Sequence, residues 1–132
     1  MRDLVHTQDY SRWFFDPPMP VLDVVLSRPG SYATPAAVEA IIDTGADSTL
    51  IPLGILEQIA APQIDQAYIR GITGIREPVD LYLVTVQIAG MTISGIRAVA
   101  LRPGASTILG RDVLNQLNLA LVGTANTTEV YI

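Results

Sequence analysis

The stretch Ala40-Ile41-Ile42-Asp43-Thr44-Gly45-Ala46-Asp47-Ser48-Thr49 decides how the rest of the chain is read. The residues from Val38 to Ile42 are apolar apart from Glu39 and read as a strand that ends on an acid. An aspartate leaving a buried strand into a turn is held rigidly and partly desolvated. The glycine close by lets another backbone or a substrate approach. The ordinary alternative is an Asx turn, in which Asp43 only caps the amides that follow it. Much later, Ser106-Thr107-Ile108-Leu109-Gly110 repeats the order of small, apolar and glycine residues. Two strand-to-glycine turns of this kind are expected to pack beside each other as pseudo-symmetric halves of one lobe.

Outward from these two motifs the chain alternates with period two or forms short β-branched runs. Val21 to Leu26 reads as a strand closed by Arg28-Pro29-Gly30, and Ala37 to Ile42 as the next. Leu53 to Ala60 places Leu53, Leu56 and Ile59 at helical spacing and stops before Pro62, which predicts one short helix. Ile64 to Arg70 and Ile75 to Ile88 form two strands around a glycine-marked tip. Met91 to Leu101 is a strand ended by Pro103-Gly104, and Thr107 to Gly110 a shorter one. Arg111 to Asn118 carries Val113, Leu114 and Leu117 on one helical face, and Leu119 to Val122 and Glu129 to Ile132 read as terminal strands. Many short strands with one or two short helices predict a mainly-β domain.

The composition limits what such a domain can do. A length of 132 residues is one domain's worth. With no cysteine, disulfides, thiolate metal sites and thiol nucleophiles are excluded. Charged residues make up 16% and apolar residues 49%, which argues against disorder. The net charge of -5, with arginine as the sole base type, argues against nucleic acid or an anionic membrane as the main partner. The first fifteen residues mix charge and polarity without a signal-peptide core, so a cytoplasmic location is expected. Asn126-Thr127-Thr128 fits the glycosylation pattern, which has no use there. His6, the lone histidine, is far in sequence from any serine and aspartate of triad type and reads as solvated.

The run from Ala40 to Thr49, with Ile108-Leu109-Gly110-Arg111-Asp112 following later, resembles the retroviral-type aspartic proteases, the retropepsins. Gly71-Ile72-Thr73-Gly74 between the motifs is similar to the family's flap tip, and Ala46-Asp47 favours the single-lobed type over the bilobed pepsins. The resemblance implies an all-β, single-lobed acid-protease fold: a closed β-barrel with one or two short helices. It implies one domain over residues 1–132, with an N-terminal arm at 1–20, a core at about 21–121 and a C-terminal segment at 122–132. By the same resemblance Asp43, Thr44 and Gly45 form the catalytic triplet. The Thr44 hydroxyl braces the opposite subunit's loop, and the Gly45 carbonyl meets the substrate backbone. Ala46 and Ile108 line substrate pockets, with Asp47 beside them, and Gly71, Ile72, Thr73 and Gly74 close over the peptide. Arg111 pairs with Asp47 and supports the loop.

The implied activity is that of an aspartic endopeptidase, and its chemistry has a consequence for assembly. Peptide hydrolysis by carboxylates needs one acid and one base on a single water. Two adjacent aspartates supply both, because like charges that close cannot both ionise and one proton is shared. The chain has a single Asp-Thr-Gly, and Asp112 starts a helix, where the dipole accounts for a carboxylate. A second copy is therefore required, and a homodimer acting on peptide or protein substrates in mildly acidic solution, with no metal or cofactor, is expected. The alternative is a non-catalytic dimer using the same groove to bind peptides. Pro78 in the returning flap strand removes a donor, and Arg70 and Arg76 flank the tip. The cluster Trp13-Phe14-Phe15 is expected to pack on the domain or beneath the dimer sheet; a sharper alternative is self-processing near Phe14 and Phe15.

Overall fold

The computed structural model describes residues 2–31, 33–71 and 73–132. Its strands are β1 (Leu4–Asp9), β2 (Val21–Ser27), β3 (Ala36–Ile42), β4 (Leu50–Pro52), β5 (Gln63–Arg70), β6 (Arg76–Ile88), β7 (Met91–Leu101), β8 (Thr107–Leu109), β9 (Asn118–Val122) and β10 (Thr127–Tyr131). Two short helices, α1 (Leu53–Gln58) and α2 (Arg111–Leu114), follow β4 and β8. None of the described helices is long and apolar enough to cross a membrane.

Strand order β2-β3-β8-β4-β7-β6 closes on itself through pairing of Val25, Leu26 and Ser27 with Gln87, Val86 and Thr85. The result is a six-stranded mixed barrel, in line with the expected closed β-barrel. Strand β5 continues from β6 outside the barrel as one arm of a hairpin. Two pairings are parallel: β3 with β8, and β4 with β7. The apolar positions of the alternating runs point inward. Leu22, Leu26, Ile51, Val84, Val86 and Leu109 are all fully buried.

Helix α1 closes one end of the core with Leu56 and Ile59, three residues apart and both buried. It stops in a Schellman arrangement: the Ala61 N–H donates to Leu56 O at 2.9 Å and the Ala60 N–H to Glu57 O at 3.0 Å. Pro62 then prevents continuation, as expected. Helix α2 is shorter than its sequence suggests. The apolar face expected over Arg111 to Asn118 ends at Leu114, and Asn118 already belongs to β9.

The terminal segments form a second sheet, ordered β1-β10-β9. Strand β1, within the stretch expected to be an arm, carries no sequence signal because its side chains are mostly exposed and mixed. Backbone pairing to β10 holds it, and the Gln8 side-chain oxygen accepts a hydrogen bond from the Asp23 N–H at 2.7 Å. Within the single chain, Trp13 and Phe14 do not pack on the domain as the first part of the expectation had it, while Phe15 is half-buried. Backbone bonds between Ser11 and Met19 close the loop beyond β1, and Trp13 and Phe14 stand 93% and 88% exposed on it. Trp13 is the sole tryptophan. Its fluorescence in dilute protein is expected to be that of a water-exposed indole, readily quenched by acrylamide; a shielded, blue-shifted emission would contradict the described loop.

Candidate active site

Parallel pairing of β3 with β8 brings the two sequence motifs side by side, with Ile41 opposite Ile108 and Ile42 opposite Leu109. The repeated strand-to-glycine pattern is thus a real structural pairing. Past the end of β3 the Asp43 N–H donates to Leu109 O at 3.1 Å, which carries the ladder one residue into the loop. The Asp43 carboxylate is half-buried and its Oδ1 accepts the Gly45 N–H at 2.9 Å. The Asx turn weighed as the ordinary reading is therefore present, and it orients the acid. The Ala46 N–H donates to Asp43 O at 3.2 Å, making the loop a tight turn.

Three contacts from the β8–α2 junction fix this loop from outside. The Arg111 N–H donates to Ala46 O at 2.8 Å, and one guanidinium nitrogen donates to Thr44 O at 2.8 Å. The same guanidinium forms an ion pair with the Asp47 carboxylate. With Asp47 87% exposed, that pair adds about 0–1 kcal/mol to stability at most. Its consequence is positional, since one planar group spans both ends of the turn.

The second anchor escaped the sequence reading. Thr49 is fully buried. Its N–H donates to one Asp112 carboxylate oxygen at 3.1 Å and its hydroxyl to the other at 2.8 Å. The hydroxyl oxygen in turn accepts the Gly110 N–H at 3.2 Å. Asp112 also accepts the Val113 N–H at 2.9 Å. Asp112 therefore does more than face a helix dipole: it joins Thr49, next to the start of β4, to α2. Asp112→Ala is expected to lose about 2 kcal/mol in urea unfolding, because buried Thr49 groups lose their acceptor. Asp112→Asn, which keeps one acceptor oxygen, is expected to lose less.

A groove of about 690 Å³ runs from this loop toward the hairpin. Gly45, Ala46, Asp47 and Ser48 line it on one side, Leu50, Leu81 and Val99 on the floor, and Ala67, Ile69 and Val79 on the hairpin side. Asp65, Arg70 and Arg97 are the remaining charged residues around it. A separate depression of about 510 Å³, between β2, β3 and the β6–β7 turn, includes no residue of the Asp43 loop. Ile108 is paired with Ile41 and Leu50 and is not among the described residues that line the groove.

The hairpin of β5 and β6 projects beyond the barrel. At its tip the Gly71 N–H donates to Ile75 O at 3.1 Å and the Gly74 N–H to Gly71 O at 2.9 Å. Gly74 has φ +79°, which a side chain there would strain. Gly71, Thr73 and Gly74 are exposed at this tip, and Ile72 lies outside the described residues. Pro78 stands opposite Tyr68, in the part of β6 that precedes its pairing with β7 at Leu81, so it interrupts no barrel bond. The Arg76 guanidinium lies 5.2 Å from the Tyr68 ring centroid, a cation–π contact on the hairpin.

Comparison with known proteins agrees with this geometry. The family model described as retroviral aspartyl protease matches residues 18–122. The fold is similar to that of a retropepsin-like aspartic protease from Rickettsia conorii, at TM-score 0.65 and 11% identity over 99% of this chain and 94% of that one. It is also similar to the EIAV protease solved with the inhibitor HBY-793, at TM-score 0.58 and 19% identity over 80% of this chain and 93% of that one. The simian foamy virus (mac) protease in solution gives TM-score 0.52 and 22% identity over 72% and 91%. No curated protein sequence matches. At these identities the structures speak for the fold alone, while the sequence model spans both motifs and the hairpin between them. On that match, the chain belongs to the retroviral aspartyl protease family.

Proposed function

We propose that this protein is an aspartic endopeptidase that works as a homodimer, with Asp43 of each copy forming the catalytic pair. The observation that carries the reading is a rigidly oriented but solitary carboxylate. Asp43 is held by the Gly45 N–H and the Leu109 carbonyl, yet no second carboxylate among the described residues bonds to it. Family members typically act as dimers on peptide substrates, and a two-fold axis beside Asp43 supplies the missing acid.

In the paired site the ionised carboxylate takes a proton from water while the protonated one donates to the peptide carbonyl oxygen. Water oxygen adds to the carbonyl carbon as the C=O becomes a C–OH, and the C–N bond then breaks with a proton passing to nitrogen. Thr44 is exposed beside Asp43, where its hydroxyl is available to a second copy's loop. The groove holds the peptide, and the hairpin tip at Gly71–Gly74 covers it and excludes water.

The terminal sheet supports the assembly. Leu4, Val5, Leu121 and Ile132 leave 50%, 38%, 48% and 65% of their surface exposed on β1, β9 and the chain end, and β1 and β9 each have a free edge in that sheet. Such edges pair readily with another chain. The test is hydrolysis of a peptide library by the parent and by Asp43→Asn, together with sedimentation. Equal cleavage by both, or activity confined to a monomer, would refute the mechanism.

A further inference from the structure

Four residues in direct register cross the floor of the groove. Leu50 of β4 is opposite Val99 of β7, Val99 is opposite Leu81 of β6, and Leu81 is opposite Asp65 of β5. The first three are apolar and the fourth is charged. Arg97 precedes Val99 by two residues on β7, so the two share a face. The Arg97 guanidinium reaches Asp65 Oδ2 at 2.9 Å. Strand β6 lies between β5 and β7, so this ion pair spans the groove instead of following a ladder.

Both partners are about half exposed, at 54% and 57%. An exposed pair of this kind contributes at most about 1 kcal/mol to folding. Its chemical importance lies in what a bound side chain meets there. A side chain entering over Leu50, Val99 and Leu81 rests its stem on apolar carbon and brings its tip to the ion pair. A carboxylate tip meets Arg97 favourably and Asp65 unfavourably; an ammonium tip meets the reverse. A carboxamide carries an acceptor oxygen and a donor NH2 on one head group. It accepts from Arg97 and donates to Asp65 without separating them.

The other charges around the groove leave this arrangement undisturbed. Asp47 is already engaged by Arg111. Arg70, which also lines the groove, is out of phase with Asp65, Ala67 and Ile69 along β5 and stands five residues from Asp65 at the tip end of the hairpin, opposite Arg76. We propose, on the reading of this groove as a peptide cleft, that Asp65 and Arg97 form a subsite that selects an uncharged amide side chain, glutamine or asparagine, over acidic or basic ones. The two residues determine specificity and take no part in bond breaking.

The subsite is tested with a positional-scanning library of extended octapeptides presented to three proteins: the parent, Arg97→Gln and Asp65→Asn. Cleavage is read in these, and peptide retention is read in the same three on an Asp43→Asn background, which needs no chemistry. In the parent, one position prefers Gln or Asn. At that same position Arg97→Gln shifts the preference toward Lys and Arg, and Asp65→Asn shifts it toward Glu and Asp, each by about fivefold, the scale of one rim charge. The same profile in all three proteins, shifts at unrelated positions, or no selective retention at all overturns the subsite. Cleavage by the parent with an unchanged profile in the variants would remove the subsite and leave the protease reading intact. Selective retention with opposite shifts, but no cleavage by the parent, would keep the subsite and remove the protease reading.

Discussion

Asp43→Asn is expected to abolish peptide hydrolysis while leaving the fold in place. Acid–base assistance of the kind a carboxylate pair supplies is worth about 10²–10⁴-fold, so residual turnover should fall at least that far. The side chains are nearly the same size, and the amide oxygen of Asn still accepts the Gly45 N–H that Asp43 Oδ1 accepts now. Circular dichroism and sedimentation should therefore match the parent. Mixing sharpens the result. If each active site takes one Asp43 from each of two chains, excess Asp43→Asn chains should suppress parent activity far beyond simple dilution, because most parent chains end up in mixed dimers. Activity that only scales with the parent fraction would mean that each chain works alone.

Gly110→Ala is expected to be the most destabilising single substitution outside the Asp43-Thr44-Gly45 loop. The backbone at Gly110 has φ -90° and ψ -178°, which any residue adopts, so torsional strain is not the reason. The reason is space. A Cβ at Gly110 would overlap the carbonyl carbon and oxygen of Ser48 and lie 2.9 Å from its nitrogen. Backbone atoms cannot swing aside as a flexible side chain can. Ser48 is moreover fixed by its neighbour Thr49, which bonds to Asp112 and Gly110. Overpacking of this sort costs about 3 kcal/mol or more, a fall on the order of 10 °C in Tm for a chain this size. Scanning calorimetry reads it directly. A parent-like Tm would show that the loops at Ser48 and Gly110 are not packed as described.

Legibility in the sequence followed the source of each element's stability. Strands that face the barrel interior, such as Val21–Ser27 and Ala36–Ile42, carry alternating or continuous apolar patterns and were expected at nearly their actual bounds. The hairpin was visible because its glycines and its two β-rich runs are local features. The Asp47–Arg111 pair was expected through family resemblance and is present. Strand β1 was not legible, because backbone pairing with β10 and the Gln8–Asp23 bond hold it, and neither demands an apolar face. Thr49–Asp112 and Asp65–Arg97 were hidden for a different reason. Their partners are 63 and 32 residues apart and meet only after the strand order is known. The exposure of Trp13 and Phe14 in the single chain departs from the first half of the expectation for them, packing on the domain, because hydrophobicity registers how apolar a residue is but not which surface covers it.

The placement of β8 between β3 and β4, two strands that follow each other in the chain, has a consequence for biosynthesis. A ribosome makes Asp43 more than sixty residues before the support for its loop, from Leu109, Gly110, Arg111 and Asp112. Until then β3 and β4 lack the strand that separates them, and contacts of such long sequence separation form late. A growing polypeptide therefore carries Asp43 without the scaffold that orients its loop until β8 and α2 have been made.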